Sequence, residues 1–167
     1  MLEVVSSSPA SAARTPPHNL EAEKSVLGAI FIKPSAFDEV ATNLEIDDFF
    51  LPVHREIFEA MLAIDKRRQA LDVIAVADEL KTRGMLARLE GGESYLLTLA
   101  NVVPTAENVL HYARLVREKS TLRRLIAACA EVQSTAYGDY GEIETFLDEA
   151  ETKVSKTARR RRETSTA

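Results

Sequence analysis

Residues 106–136, AENVLHYARLVREKSTLRRLIAACAEVQSTA, run without a single proline or glycine. Nothing in such a stretch stops a helix. Its first part places Val109, Tyr112, Ala113 and Val116 on one face at helical spacing. Its second part does the same with Leu122, Leu125, Ile126, Cys129, Ala130 and Val132. Around Lys119 and Ser120 the apolar phase shifts, so two helices joined tightly are expected, a helical hairpin over residues 104–137. The small side chains of Ala127, Ala128 and Ala130 let another helix come close. Leu110, Leu115 and Ala127 lie off the main stripe, and a hairpin apolar on more than one face suggests a partner. On pattern alone, packing wholly on its own domain is the equal alternative.

Upstream, the chain reads as short helices. Residues 1–15 are Ser/Ala-rich and aperiodic, a disordered leader. After Pro16 and Pro17, Asn19 can cap a helix whose first turn holds Glu21 and Glu23 and whose apolar face holds Leu20, Val26, Leu27, Ile30 and Phe31. Pro34 ends it, and Ser35 with Asp38 suggests a cap for the next helix. Phe49 and Phe50 follow Asp47 and Asp48 in a short connector and should plug a core. From Pro52, the spacing of Val53, Ile57, Met61 and Ile64 marks a third helix. Asp72 can cap a fourth, which stops at Lys81, Arg83 and Gly84. Gly91 and Gly92 turn the chain into a fifth helix, burying Tyr95, Leu96 and Leu99.

Downstream, residues 138–141 form a hinge. Ile143, Phe146, Leu147, Ala150 and Val154 then make an amphipathic helix over residues 138–156. An isolated helix of this length is marginal in water and needs something to dock on. Residues 157–167 read as a flexible basic tail. The expected architecture is all-α: a compact helical head over residues 16–103, a hairpin, and a terminal helix.

Composition narrows the function. The 167 residues carry a net charge of −5, with 46% hydrophobic residues and one cysteine. Residues 20–154 hold 15 basic and 24 acidic side chains, a balance of −9, while the basic excess lies at Arg159, Arg160, Arg161 and Arg162. An acidic body repels phosphates, so the folded part is a poor grip for DNA or RNA, and a helix-turn-helix DNA binder is disfavoured. A lone Cys129 excludes an intrachain disulfide and reads as a small core residue. No apolar run approaches the roughly 18 residues of a spanning helix, and no secretory signal opens the chain. The expected compartment is the cytoplasm, with no membrane partner.

Catalytic patterns are missing. No glycine precedes a lysine, so there is no Walker A loop, and neither G-x-G-x-x-G nor G-x-S-x-G occurs. His18, His54 and His111 are scattered and form no metal-binding pattern. His54 is expected to pack or cap locally, and Asp47 with Asp48 to serve as caps. The residues alone describe a non-catalytic interaction module, with no catalytic residue, metal or bound cofactor expected.

The stretch PPHNLEAEKSVLG at 16–28 resembles the start of the N-terminal domain of DnaB-type replicative DNA helicases. The likeness continues in order through Asp47, Asp48, Phe49, Phe50, His54, Ile57, Phe58 and Asp72. It goes on through Gly91, Gly92, Tyr95, Leu96, Pro104, Asn108, Tyr112, Ala113 and the run Val116, Arg117, Glu118, Lys119. Leu147, Asp148, Ala150, Glu151 and Val154 resemble the family's linker helix.

That resemblance implies a collar domain of a hexameric helicase. Its hairpins would pair isologously, three dimers making the collar, with Val109, Tyr112, Ala113, Val116, Leu122, Leu125, Ile126 and Cys129 at the seam. Ile143, Phe146, Leu147, Ala150 and Val154 would dock the linker helix on the neighbouring subunit's motor domain. The primase C-terminal domain would bind the collar, and DNA would be met only indirectly. ATP and magnesium belong to a motor domain that these residues do not contain. The chain departs from the family at Ser155, where an aromatic commonly stands. A fragment and a free-standing adaptor, binding primase, a helicase loader or the helicase, are the two readings of the missing motor.

Overall fold

The computed structural model describes residues 14–102 and 105–165. The expected leader lies outside the described residues, apart from Arg14 and Thr15. Among the described residues the regular structure is helical throughout, as the all-α expectation requires. The α-helices are α1 (Leu20–Ile32), α2 (Phe37–Asn43), α3 (Pro52–Lys66), α4 (Val73–Thr82), α5 (Glu93–Val102), α6 (Val109–Tyr137) and α7 (Ile143–Ser165).

Local chemistry places most of the helix ends. Asn19 caps α1, its side chain accepting from the Ala22 amide at 3.0 Å. Asp72 caps α4 in the same way through the Ala75 amide at 2.7 Å. Gly84 takes a left-handed φ of 70°, which lets the Met85 amide return to the Leu80 carbonyl at 2.8 Å. Pro52 opens α3, where its missing N–H costs nothing. The cap expected from Ser35 and Asp38 does not form. Pro34 instead starts a 3-10 turn, Pro34–Ala36, that runs straight into α2.

The core sits around α1, which packs against α3, α5 and α6. Val26, Leu27, Ala29 and Ile30 are all fully buried, so α1 is covered nearly all round. The Phe58 ring lies 5.1 Å from that of Phe49 and 5.9 Å from that of Phe37, locking α3 to the connector and α2. Phe50 stays half-buried beside this core.

Two expectations about the C-terminal third are corrected. Residues 104–137 do not fold as a hairpin, because α6 is one continuous helix from Val109 to Tyr137. The buried stripe Val109, Ala113, Val116 continues in step at Ser120, which is 2% exposed. A polar residue took over a core position, and hydrophobic periodicity registers that as a break. Nor is residues 157–167 a flexible tail in its described part, since α7 extends to Ser165. Its lysines, arginines and alanine are good helix formers and no proline or glycine intervenes. The turn of the hairpin falls instead at residues 138–142, and α7 folds back along α6.

Candidate functional site

Two buried polar networks hold the hairpin and the head in place. On α6, Ser120 Oγ donates to Asp48 Oδ1 at 2.7 Å, and an Arg124 nitrogen lies 3.3 Å from the same oxygen. Arg123 donates to the Pro17 and Asp48 carbonyls at 2.8 and 2.7 Å. Arg117 donates to the Asn43 carbonyl at 2.5 Å. The Phe50 ring is stacked on His18 at 4.4 Å and lies 5.5 Å from the Arg123 guanidinium. Burial pushes the Arg123 guanidinium below its ordinary pKa, with the Glu23 carboxylate pulling the other way. The middle of α6 is therefore fixed to the head by charge-assisted hydrogen bonds rather than by apolar packing.

The second network lies within the head, with Glu23 and His54 buried and Tyr95 half-buried at its edge. Glu23, 1% exposed, accepts from the Phe50 amide at 2.8 Å, the Leu51 amide at 3.3 Å and His54 Nδ1 at 2.8 Å. With Nδ1 donating to the carboxylate, Nε2 accepts from the Tyr95 hydroxyl at 2.6 Å. Burial, and then the Glu23 and Glu21 charges, push the Tyr95 phenol above its ordinary pKa, so it keeps its proton. Both His54 nitrogens are engaged in tying α1, α3 and α5 together, so His54 bonds to partners distant in sequence rather than packing or capping locally as expected. The sequence held a sign of this network: Glu23 stands on the stripe of Leu20, Leu27 and Ile30, where a carboxylate is out of place.

Beyond Ser120 the hairpin carries little cover. On α6 the partly buried residues Leu125, Ala128, Val132 and Thr135 form one stripe, and on α7 Phe146, Ala150 and Thr157 form another. α6 and α7 pack against each other, and Lys153 lies 3.5 Å from Glu131 across the pair. Phe146 also meets the Tyr140 ring at 6.1 Å near the turn. A second stripe on each helix stays open: Leu122 39% and Ile126 54% exposed on α6, Ile143 51%, Leu147 51% and Val154 39% on α7. Each open stripe is rotated by up to about 100°, in the same sense along the chain, from the stripe between the helices. Because the helices run antiparallel, that rotation brings both open stripes to one side. The hairpin thus has one apolar face, with Glu131, Ser134, Thr145 and Glu149 on the other.

The residues expected at a dimer seam divide. Val109, Ala113 and Val116 are sealed in the head at 3%, 1% and 1% exposure and are not available to a partner. Tyr112 is half-buried against the same core. Leu125 belongs to the stripe facing α7. Leu122 and Ile126 lie on the open face, and Cys129, expected in a core, is exposed beside them. Of the residues expected to dock a linker, Phe146 and Ala150 turn toward α6, and Ile143, Leu147 and Val154 join the open face. α7 is thus the second arm of the hairpin, not a separate linker. Elsewhere, an open groove of about 580 Å³ on the head is lined by Ile74, Ala77, Lys81, Leu86 and Gly92. Among the described residues no helix is long and apolar enough to cross a membrane.

The sequence model of the DnaB-like helicase N terminal domain matches residues 15–118. The chain is similar to the replicative DNA helicase DnaC of Bacillus subtilis, 43% identical over 148 residues, covering 89% of this chain and 32% of that protein. It is 42% identical to the replicative DNA helicase DnaB of Geobacillus stearothermophilus, with the same shares covered, 89% and 32%. The chain thus spans about a third of the length of these relatives. Among solved structures, the N-terminal domain of DnaB helicase from Mycobacterium tuberculosis is similar with a TM-score of 0.79 at 37% identity, covering 85% of this chain and 99% of that one. A DnaB-like replicative helicase described with its primase interactions shares the fold at a TM-score of 0.68 and 24% identity, covering 83% of this chain and 31% of that one.

Proposed function

The chain belongs to the family of DnaB-like helicase N-terminal domains, and from that premise we propose that it is a non-catalytic collar module that pairs helicase subunits. The observation that carries this reading is the single apolar face of the α6–α7 hairpin, uncovered by its own head. An isologous dimer covers such a face with a copy of itself, and three such dimers close a ring. The pairing surface is the outer hairpin, Leu122, Ile126, Cys129, Ile143, Leu147 and Val154. It excludes the head-facing residues Val109, Ala113 and Val116.

In the full assembly, ATP and magnesium serve the motor portion of the helicase, and the collar's acidic surface keeps DNA at a distance. The site of action is the cytosolic replisome. The primase C-terminal domain is the second partner, a reading supported by the structural neighbours described with primase. Light scattering on the 167-residue chain, alone and with the primase C-terminal domain, tests both parts. Self-association and a further rise in mass with primase are expected. A monomer that ignores primase contradicts the reading.

A further inference from the structure

The far end of the hairpin is aromatic and anionic. Residues 136–145 round the tip and are all exposed. They include Tyr137, 87% exposed, and Tyr140, 48% exposed, whose ring is backed by Phe146 at 6.1 Å. The two other tyrosines, Tyr95 and Tyr112, are partly buried in the head. An aromatic ring left in water buries nothing in the single chain, and such rings are enriched where proteins meet.

Charge says what meets this one. Residues 125–152 hold seven carboxylates and no lysine, arginine or histidine. Among the described residues only Glu131 of the seven is ion-paired, to Lys153. The cations that border the stretch are therefore already engaged, Lys153 in that pair and Arg124 with Asp48. The helix dipole accounts for Glu142 and Glu144 at the start of α7. It does not account for Asp139, nor for the end of α6, whose last turn carries no cation to meet its negative pole. Such a surface repels a phosphate polymer, and it repels the same tip of a second copy. It suits a guanidinium, a planar cation that lies on a ring while its N–H groups donate to carboxylates.

We propose that the hairpin tip docks an arginine-rich segment of a partner protein, its guanidinium groups lying on the Tyr137 and Tyr140 rings and bonding to Asp139, Glu142 and Glu144. This does not rest on the hairpin pairing proposed above. Of the pairing residues only Ile143 reaches the tip, and Tyr137 and Tyr140 are outside that set.

Fluorescence anisotropy of the full chain with fluorescein-labelled hexa-arginine provides the test, at about 0.15 M salt so that only close charge pairs act. Hexa-arginine is expected to bind more tightly than hexa-lysine, because the charge is equal and the guanidinium stacks better. Y137A/Y140A is expected to weaken hexa-arginine about fivefold or more. D139N/E142Q/E144Q is expected to weaken it too, whereas D38N/E39Q on α2 leaves it unchanged. Helical circular dichroism like the parent's in each variant shows that folding is not the cause. A parent that does not bind hexa-arginine overturns the proposal. Equal affinity for hexa-lysine, or binding that Y137A/Y140A leaves intact, overturns it by marking a general acidic surface. If the parent ignores hexa-arginine while Y137A/Y140A abolishes self-association by light scattering, the tip belongs to a second copy and the proposal falls.

Discussion

Leu147→Asp separates assembly from folding. Leu147 is 51% exposed in the single chain, so about half of its side chain remains for a partner to cover. Full burial of a leucine is worth roughly 1.5–3 kcal/mol, so the uncovered half contributes about 1 kcal/mol in each copy and about 2 kcal/mol per dimer. A carboxylate placed in the same contact adds a desolvation cost of about 1 kcal/mol or more for each copy. Together these exceed about 3 kcal/mol, a rise of at least a hundredfold in the dissociation constant. The single chain should lose little, because an exposed helical position tolerates aspartate within about 1 kcal/mol. Sedimentation equilibrium reads the first effect and thermal unfolding by circular dichroism, at a concentration where both proteins are monomeric, reads the second. A dimer as tight as the parent's would refute the reasoning, because no partner then covers this face. Equal sensitivity at exposed Ile74 on the head would refute it too.

The remaining predictions concern the head. Glu23→Gln replaces a carboxylate that accepts from two backbone amides and His54, and should cost about 2–4 kcal/mol in urea unfolding with an unchanged slope. Val116→Asp buries a charge at a position 1% exposed and should unfold the head outright, seen as lost cooperative melting rather than as a folded monomer. Hydrogen bonds from Arg67 and then Arg83 hold the Glu79 carboxyl below its ordinary pKa. A depressed carboxylate contributes stability above its unfolded pKa of about 4.3 and loses it as pH falls through the lower folded value. Glu79→Gln should therefore melt below the parent at neutral pH, with the gap closing under acid, and a gap independent of pH would contradict the pairing.

Short-range chemistry was legible in the sequence. Asn19, Asp72 and Gly84 end their helices through contacts within a few residues, and the composition around them announces it. The apolar stripes placed Ile57, Met61, Leu96 and Leu99 in the core for the same reason. What stayed hidden was long-range polar pairing. Ser120 reads as a phase break because its partner, Asp48, lies far away in sequence and reached it only through folding. Val109, Ala113 and Val116 looked like a seam because a stripe does not say which surface it meets. The stripe of Ile143, Leu147 and Val154 was visible, but its place beside Leu122 and Ile126 depends on α7 folding back, which the turn at residues 138–142 decides. Arg159 sits inside a helix because nothing after Tyr140 and Gly141 stops one.

The account stands on one apolar hairpin face meeting its twin. The absolute mass of the 167-residue chain by light scattering, measured across a concentration series, probes this most directly. Growth from 18.5 kDa toward twice that mass or a higher even multiple is expected. A mass that stays at 18.5 kDa up to the solubility limit would contradict it.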